Sequence, residues 1–288
     1  MLFLRHGHAP IQYTKTEDGF NIAWWEMGNG YPLLLTSPVN FTHVEIELRI
    51  SPLKRRYDRL AESLRIIRFD GRGWGLSDRR ARGYDLEWTC TDIDTVAAAA
   101  NIDTFALFGF FGWAPSTIGY AATRPGRVSH LLTWVTGAQG NDAWVNRGQM
   151  NVIRALTCKD WDLYTENMAH VLLGWGRGEV AHEFANLIRA SMSQEFILSW
   201  RDHAVNDGTP YLGQVRCPAL ILHTRDNPLV SIDDATALAA GIPGARRKWT
   251  VEELQFLAPN SLLAGVPNPA PPPPELEVPG RPVQVAGA

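Results

Sequence analysis

Residues 107–120 read Leu-Phe-Gly-Phe-Phe-Gly-Trp-Ala-Pro-Ser-Thr-Ile-Gly-Tyr, and this stretch decides the fold. It continues an apolar run that begins at Phe105, and such a run predicts a buried strand. Gly109 indicates a sharp turn, and the residues from 114 onward have the apolar spacing of a helix. The sequence therefore predicts a strand, a tight turn and a helix in direct succession, with Phe111 in the turn.

Strand and helix patterns alternate on both sides of this stretch. Residues 12–27 alternate around an Asp18-Gly19 turn, which predicts a β-hairpin. Further strands are predicted at 32–36, 64–69, 105–108, 128–135, 217–223 and 247–251, and helices at 52–64, 86–101, 114–124 and 232–241. This alternation predicts an α/β fold, with a mostly parallel central sheet and helices on both faces.

The alternation is interrupted once, and the chain changes character near its end. Residues 137–212 carry helical patterns and many aromatic residues, which predicts a helical cap inserted into the fold. The core then consists of residues 1–136 and 213–262. Residues 263–288 are rich in proline, which predicts an extended, disordered tail.

Composition excludes several classes of function. With 288 residues, 45% hydrophobic residues and a net charge of −3, the chain has no general attraction for nucleic acid or for anionic membranes. No apolar run is long enough to span a bilayer, and three scattered cysteines favour a reducing, cytoplasmic location. Metal-ligand spacings and phosphate-binding glycine loops are absent from the sequence, so we expect neither a metal nor a cofactor.

Several segments resemble the α/β-hydrolases, most of all the bacterial hydrolase domains that stand beside adenylate-cyclase or LuxR-type regulatory domains. Residues 69–78, Phe-Asp-Gly-Arg-Gly-Trp-Gly-Leu-Ser-Asp, match the Phe-Asp-x-Arg-Gly-x-Gly-x-Ser-Asp loop of that group. Residues 105–120 match the layout of its nucleophile elbow, Gly-x-Ser-x-Gly, and residues 127–131 and 216–230 match as well. The resemblance runs from about residue 12 to residue 257 and implies the α/β-hydrolase fold with an inserted cap.

The resemblance implies a catalytic nucleophile, acid and histidine in that chain order, and this sequence departs from all three. Phe111 stands at the nucleophile position, and a phenyl ring cannot form an acyl intermediate. Asn227 stands at the acid position, with Asp226 one residue early. Gln255 stands near the histidine position, and no histidine occurs after His223. We therefore predict a degenerate site with no catalytic residue at these positions.

The resemblance also implies an oxyanion hole and a pocket above the sheet. Val39 and Gly112 are expected to supply the backbone N–H groups of the oxyanion hole. Together with them, Phe110, Phe111 and Trp134 are the candidate ligand-binding residues, although packing in the core is the simpler interpretation of these three rings.

Three hypotheses follow. The first is a non-catalytic module that binds a small apolar ligand or a protein partner. The alternative is an active hydrolase or lyase that uses non-standard residues, for instance Asp226 or His223, around a retained oxyanion hole. The third is a scaffold whose proline-rich tail binds a protein partner.

A fourth interpretation comes from the first residues. Arg5-His6-Gly7 after an apolar start is similar to the opening of histidine phosphatases. Those enzymes also need a second histidine and further arginines in their own order, and that order is not found here. A phosphatase is therefore the least favoured of the alternatives.

Overall fold

The computed structural model describes residues 9–36, 41–80, 85–139, 152–153, 155–176, 178–203, 207–224 and 230–250. The described strands are β1 (Gln12–Lys15), β2 (Asn21–Met27), β3 (Tyr31–Leu35), β4 (Leu64–Phe69), β5 (Phe105–Phe110), β6 (Val128–Trp134), β7 (Ala219–Thr224) and β8 (Arg246–Thr250). The described helices are α1 (Ser51–Ala61), α2 (Leu86–Ala99), α3 (Ala114–Thr123), α4 (Trp161–Leu173), α5 (Gly178–Ser191), α6 (Gln194–His203) and α7 (Ile232–Gly241).

The strands described here form one eight-stranded sheet in the order β1-β2-β4-β3-β5-β6-β7-β8. β1 and β2 form the predicted antiparallel hairpin, β2 pairs antiparallel with β4, and β3 to β8 pair in parallel. The predicted α/β architecture with a mostly parallel sheet is confirmed. Because all these parallel strands point the same way, the residues that follow β3, β5 and β6 meet at one edge.

Two apolar clusters cover the two faces of the sheet. One contains Trp25, Phe108, Phe110, Phe111 and Trp134, together with side chains from α1 and from the helices α4 to α6. The other contains side chains from α2, α3 and α7. Helices α4 to α6 fall in the segment predicted to be a cap, whose boundaries remain a prediction, and their apolar faces pack on the first of these clusters.

Most predicted elements are found within two or three residues of their expected ends, and two differences matter for the site. β5 was predicted to end at residue 108, but it continues to Phe110 because Phe110 pairs with Trp134 on β6. β6 was predicted to include Val135, but it ends at Trp134 because Val135 has a φ of 51°. A β-branched residue with positive φ leaves the extended conformation that a strand requires.

Side-chain hydrogen bonds fix where three of the helices begin. Asp85 and Asp160 accept hydrogen bonds from the backbone N–H groups of Trp88 and Leu163, which caps α2 and α4. α7 begins with a reciprocal capping box in which Ser231 and Asp234 bond each other's backbone N–H groups. In the described ranges, we find no helix long and apolar enough to cross a bilayer.

Candidate functional site

The turn after β5 has the backbone of a nucleophile elbow. A single 3-10 turn, Phe111–Trp113, joins the end of β5 to the start of α3. Phe111 has a φ of 48°, which is the left-handed conformation that an L-residue adopts only under strain. The predicted turn therefore forms, with Phe111 at the apex where the resemblance places a nucleophile.

Gly109 shows why this turn is so tight. A Cβ atom on Gly109 would lie 2.2 Å from Oγ1 of Thr117 and 2.8 Å from Cα of Ala114, both on α3. The helix therefore lies so close to the end of β5 that residue 109 has no room for a side chain. This contact holds the first turn of α3 against the strand.

Aromatic rings occupy the site around the apex. Phe111 is buried, with 4% of its surface exposed, and its ring centroid lies 6.1 Å from that of Phe110. The ring of Phe110 in turn meets Trp134 edge to face at 5.3 Å. All three candidate ligand-binding rings thus belong to one contiguous apolar group at the carboxyl ends of β5 and β6.

A second strained residue lies beside the elbow. Val135 follows Trp134 as Phe111 follows Phe110, and Phe110 and Trp134 are partners in register. The hydroxyl of Thr136 donates a hydrogen bond to the carbonyl oxygen of Phe111 at 2.9 Å. The ends of two neighbouring strands therefore bend out of the sheet together, and a side-chain hydrogen bond ties them to each other.

Trp113 stands where the family motif has its closing glycine. Its half-buried ring meets the ring of Trp74 at 5.7 Å, and Trp74 contacts Phe196 at 5.1 Å and Trp200 at 6.0 Å, both on α6. A large side chain at this position therefore links the elbow, through the loop after β4, to a helix of the predicted cap.

The loop after β4 makes two further contacts, one with α6 and one with α5. The Phe196 ring lies 2.2 Å from the place where Gly73 would carry a Cβ atom, so only glycine allows the ring to pack there. The N–H of Gly75 donates a hydrogen bond to the carbonyl oxygen of Ser191, at the end of α5, at 2.7 Å. Residues 70–78 thus connect the sheet with α5 and α6.

Asp70 is a buried residue whose hydrogen bonds hold this loop in place. Its fully buried carboxylate accepts hydrogen bonds from the N–H groups of Val44 and Leu76 and from the hydroxyl of Thr42. Burial raises the pKa of Asp70, while the charge of Arg68 and these hydrogen bonds counter the rise. The carboxylate therefore joins the loop after β3 to the loop after β4, which is a structural role.

Arg68 and Glu47 form a buried ion pair beside Asp70. Nε and Nη2 of Arg68 donate to the two oxygens of Glu47 at 3.1 and 2.6 Å, and both side chains are fully buried. The same carboxylate accepts from the hydroxyl of Tyr57 at 2.5 Å and from the N–H of His43 at 3.1 Å. Four donors therefore fill the acceptor sites of Glu47.

The remaining predicted site residues fall in three groups. Val39, Asn227 and Gln255 lie outside the described residues, and so do Asp226 and the proline-rich tail. Gly112 lies in the elbow, directly after Phe111. His223 is fully buried on β7, and burial lowers the pKa of its imidazole, which keeps the ring neutral near pH 7.

Sequence reasoning missed one charged residue next to the site. Arg56 on α1 has 7% of its surface exposed, and its guanidinium lies over the rings of Phe108 and Trp134. A signal was present, because Leu53, Arg56, Tyr57 and Leu60 have the spacing of one helix face. The three other members are apolar or aromatic, so the spacing alone places Arg56 toward the core.

The chemistry open to this arrangement is restricted. Covalent catalysis from the elbow apex is excluded, because the side chain of Phe111 has no proton to lose and no lone pair to donate. Among the described residues, no group of three or more His, Cys, Asp or Glu side chains is placed to hold a metal ion. What the described site offers is an apolar aromatic surface with one buried guanidinium beside it.

A mostly parallel sheet, a strand–elbow–helix unit that begins with β5, and helices on both faces define the class of the α/β-hydrolase fold. Comparison with known proteins agrees. The chain is 26% identical over 240 residues to the AB hydrolase superfamily protein YisY of Bacillus subtilis (strain 168), and the match covers 80% of this chain and 87% of that protein. No family model matches the chain.

Solved structures show the same architecture. A hydrolase from Pseudomonas aeruginosa PA01 superposes with a TM-score of 0.71 at 19% identity, covering 85% of this chain and 93% of that one. The esterase EaEST from Exiguobacterium antarcticum superposes with a TM-score of 0.68 at 21% identity, covering 82% and 89%. The chain therefore has the α/β-hydrolase fold.

Proposed function

We propose that this chain binds a small apolar ligand at the elbow and does not carry out serine-hydrolase chemistry there. The observation that carries the proposal is Phe111, which keeps the left-handed backbone of the elbow apex while its buried ring replaces a nucleophile. The absence of any histidine after His223 in the sequence removes the general base of that mechanism as well.

The aromatic surface supports a binding role. Phe110, Phe111 and Trp134 stand together at the carboxyl edge of a parallel sheet, where ligands bind in open α/β folds. Aromatic rings contribute large apolar contact areas, and ligand pockets are lined mainly by such side chains.

A two-part assay on the purified full chain tests this proposal. Hydrolysis of p-nitrophenyl acetate and butyrate should not exceed that of a boiled sample. The neutral apolar dye Nile red should bind saturably, and Phe110→Leu should weaken this binding. Tyr13→Ala, an exposed position on β1, is the matched control and should leave the binding unchanged. Ester turnover well above the boiled sample contradicts the non-catalytic part, and lack of saturable dye binding contradicts the binding part.

The comparisons favour a second candidate, an active hydrolase with non-standard residues. The relatives include a protein named an esterase, and the elbow backbone of this chain is formed. Residual catalysis of roughly 10³–10⁴ over water is possible from an oxyanion hole and binding alone. Asp226→Ala should then abolish the measured turnover, and Asp233→Ala, an exposed position on α7, should not. Equal turnover in the two variants argues against Asp226.

A further inference from the structure

Two tryptophan residues next to the elbow are only half-buried. Trp113 follows Gly112, which is also half-buried, whereas Phe111 before them is buried. Trp200 on α6 is half-buried as well. Neighbouring apolar rings that remain partly in contact with water are typical of surfaces that bind a ligand. These two indoles are therefore candidates for contact with a ligand at the elbow.

Both indoles pack on one buried ring, that of Trp74 in the loop after β4. The ring centroids of Trp113 and Trp200 lie 5.7 and 6.0 Å from that of Trp74, and the ring planes are inclined by 62° and 80°. Phe196 meets the same ring at 5.1 Å and 80°. These are edge-to-face contacts, which aromatic rings prefer because their faces are negative and their edges positive. A buried tryptophan thus joins the two half-buried ones in one aromatic group.

Glycines of the same loop fix the positions of these rings. A Cβ atom on Gly71 would lie 3.1 Å from Cη2 of Trp113, and one on Gly73 would lie 2.2 Å from Cε2 of Phe196. The two rings therefore occupy the space that side chains at residues 71 and 73 would take. A ligand that contacts rings already held in place loses less free energy to the ordering of side chains on binding.

We propose that the ligand of this site is a planar aromatic compound whose ring system contacts the indoles of Trp113 and Trp200. This inference rests on the proposed binding function and names its ligand class. The two indoles pack against the same apolar cluster that contains Phe110 and Phe111. An aromatic ligand can meet them edge to face or offset-stacked, and each such pair raises the affinity by a factor of about 2 to 12 beyond the burial of apolar area. A saturated ligand with the same skeleton gains the burial alone.

The first test uses the wild-type chain and two matched pairs of neutral alcohols, 2-naphthalenemethanol with decahydro-2-naphthalenemethanol and 4-phenyl-1-butanol with 4-cyclohexyl-1-butanol. Each pair has the same carbon skeleton and hydroxyl group and differs in aromaticity. Affinities from displacement of Nile red are divided by the octanol–water partition coefficients, which removes the difference in apolar burial. The corrected affinity should be about 10-fold higher for the aromatic member. Equal corrected affinities, or higher ones for the saturated members, overturn the inference and leave the binding function intact.

Variants locate the preference on the two indoles. Trp113→Leu and Trp200→Leu keep an apolar side chain without the ring, and each should reduce the aromatic preference by a factor of about 2 to 12. Trp175→Leu is the control, because it removes an exposed tryptophan that stacks on His170 between α4 and α5, and it should keep the preference. A preference that is unchanged in both Trp113→Leu and Trp200→Leu also overturns the assignment.

The remaining outcomes separate the ligand class from the binding function. Saturable Nile red binding that neither aromatic alcohol displaces overturns the ligand class. Absence of binding by both members of each pair, and of saturable Nile red binding, instead contradicts the proposed function itself. The wild-type comparison decides the ligand class even if the leucine variants do not fold.

Discussion

The loop at residues 70–78 and the elbow at residues 109–113 lie at the same edge of the sheet. The loop keeps the residues of the α/β-hydrolase motif, whereas the elbow keeps only its backbone. The loop matches the family motif residue by residue, and its polar atoms are bonded: Asp70 accepts three donors, and Ser77 donates to the carbonyl oxygen of Asp70. The elbow matches the motif in its backbone, but aromatic rings replace its reactive and small residues. The residues that hold the fold together are therefore kept here, while the residues that would carry out the reaction are replaced.

The difference shows what each region needs in order to form. The loop depends on buried charges, and removing one of them leaves another without compensation. The elbow depends on the close approach of α3 at Gly109 and on burial of its rings, and neither requires a nucleophile. Substitutions in the loop should therefore change stability through buried charge, and substitutions in the elbow should change it through packing and backbone conformation.

The largest effect is expected from Arg68→Met. This change leaves the buried carboxylate of Glu47 without its cation, and breaking a buried pair costs about 3–5 kcal/mol. Urea unfolding of the variant should show that loss of unfolding free energy, while the exposed control Arg55→Met should unfold like the wild type. If Arg68→Met lost no more unfolding free energy than the control, the buried charges beside the loop would not be more important for stability than the packing of the elbow.

Asp92 predicts a pH dependence for the same polar region. Its carboxylate accepts hydrogen bonds from the backbone N and from Nε of Arg72, and burial raises its pKa from 3.8 to about 6 despite these contacts. The native state then binds the proton more tightly than the unfolded state. The stabilisation from protonated Asp92 is complete below pH 3.8 and is lost as the pH rises through about 6.

The measurement is the unfolding free energy of the wild type minus that of Asp92→Asn, followed with pH. This difference should fall by about 2.4 kcal/mol between pH 3.8 and pH 6.5, which is most of the energy that a shift of about two pKa units represents. Taking the difference removes the titrations that both proteins share. Following its change with pH also removes the constant cost of replacing the carboxylate by an amide. A difference independent of pH contradicts the shift.

Much of this fold was predictable because its strands are short apolar runs bounded by turn residues. The runs before Ser37 and after Ser63 became β3 and β4 within one residue of their expected ends. The end of β5 was placed two residues too early, because a glycine inside an apolar run indicates a break. Gly109 instead continues the strand, and its missing side chain makes room for α3.

The site was predictable only in part. The positions of Phe110 and Phe111 followed from the layout of the elbow motif, and the structure brings their rings together with that of Trp134, a candidate named without a motif. The network of Glu47, Arg68 and Asp70 was not predictable, because Glu47 lies after β3 while Arg68 and Asp70 lie at the end of β4, and only the folded sheet brings these two segments together. Arg56 was missed because a charged residue in a basic helix is taken to face solvent, although its spacing placed it on the apolar face.

In the elbow region, Gly109→Ala should have the larger effect of the two tests proposed. The added Cβ would lie 2.8 Å from a backbone atom of α3, so the helix must shift. Overpacking of this kind costs about 1–3 kcal/mol. Gly213→Ala is the matched control, because a Cβ there would meet no atom within 4 Å. Equal unfolding free energies for the two variants would show that α3 is not held against β5 as described.

The smallest effect, and the most specific for the elbow, separates backbone strain from ring burial at Phe111. Phe111→Gly and Phe111→Ala both remove the ring, but only alanine keeps a Cβ atom at a φ of 48°. Left-handed backbone costs an L-residue about 1–2 kcal/mol, whereas glycine loses about 0.4–1 kcal/mol more entropy on folding. The glycine variant should therefore be more stable than the alanine variant by up to about 1.6 kcal/mol. At Ala98, exposed on α2, the order reverses and Ala98→Gly is destabilising. The same order at both positions would mean that the ring of Phe111, and not the elbow, sets its backbone.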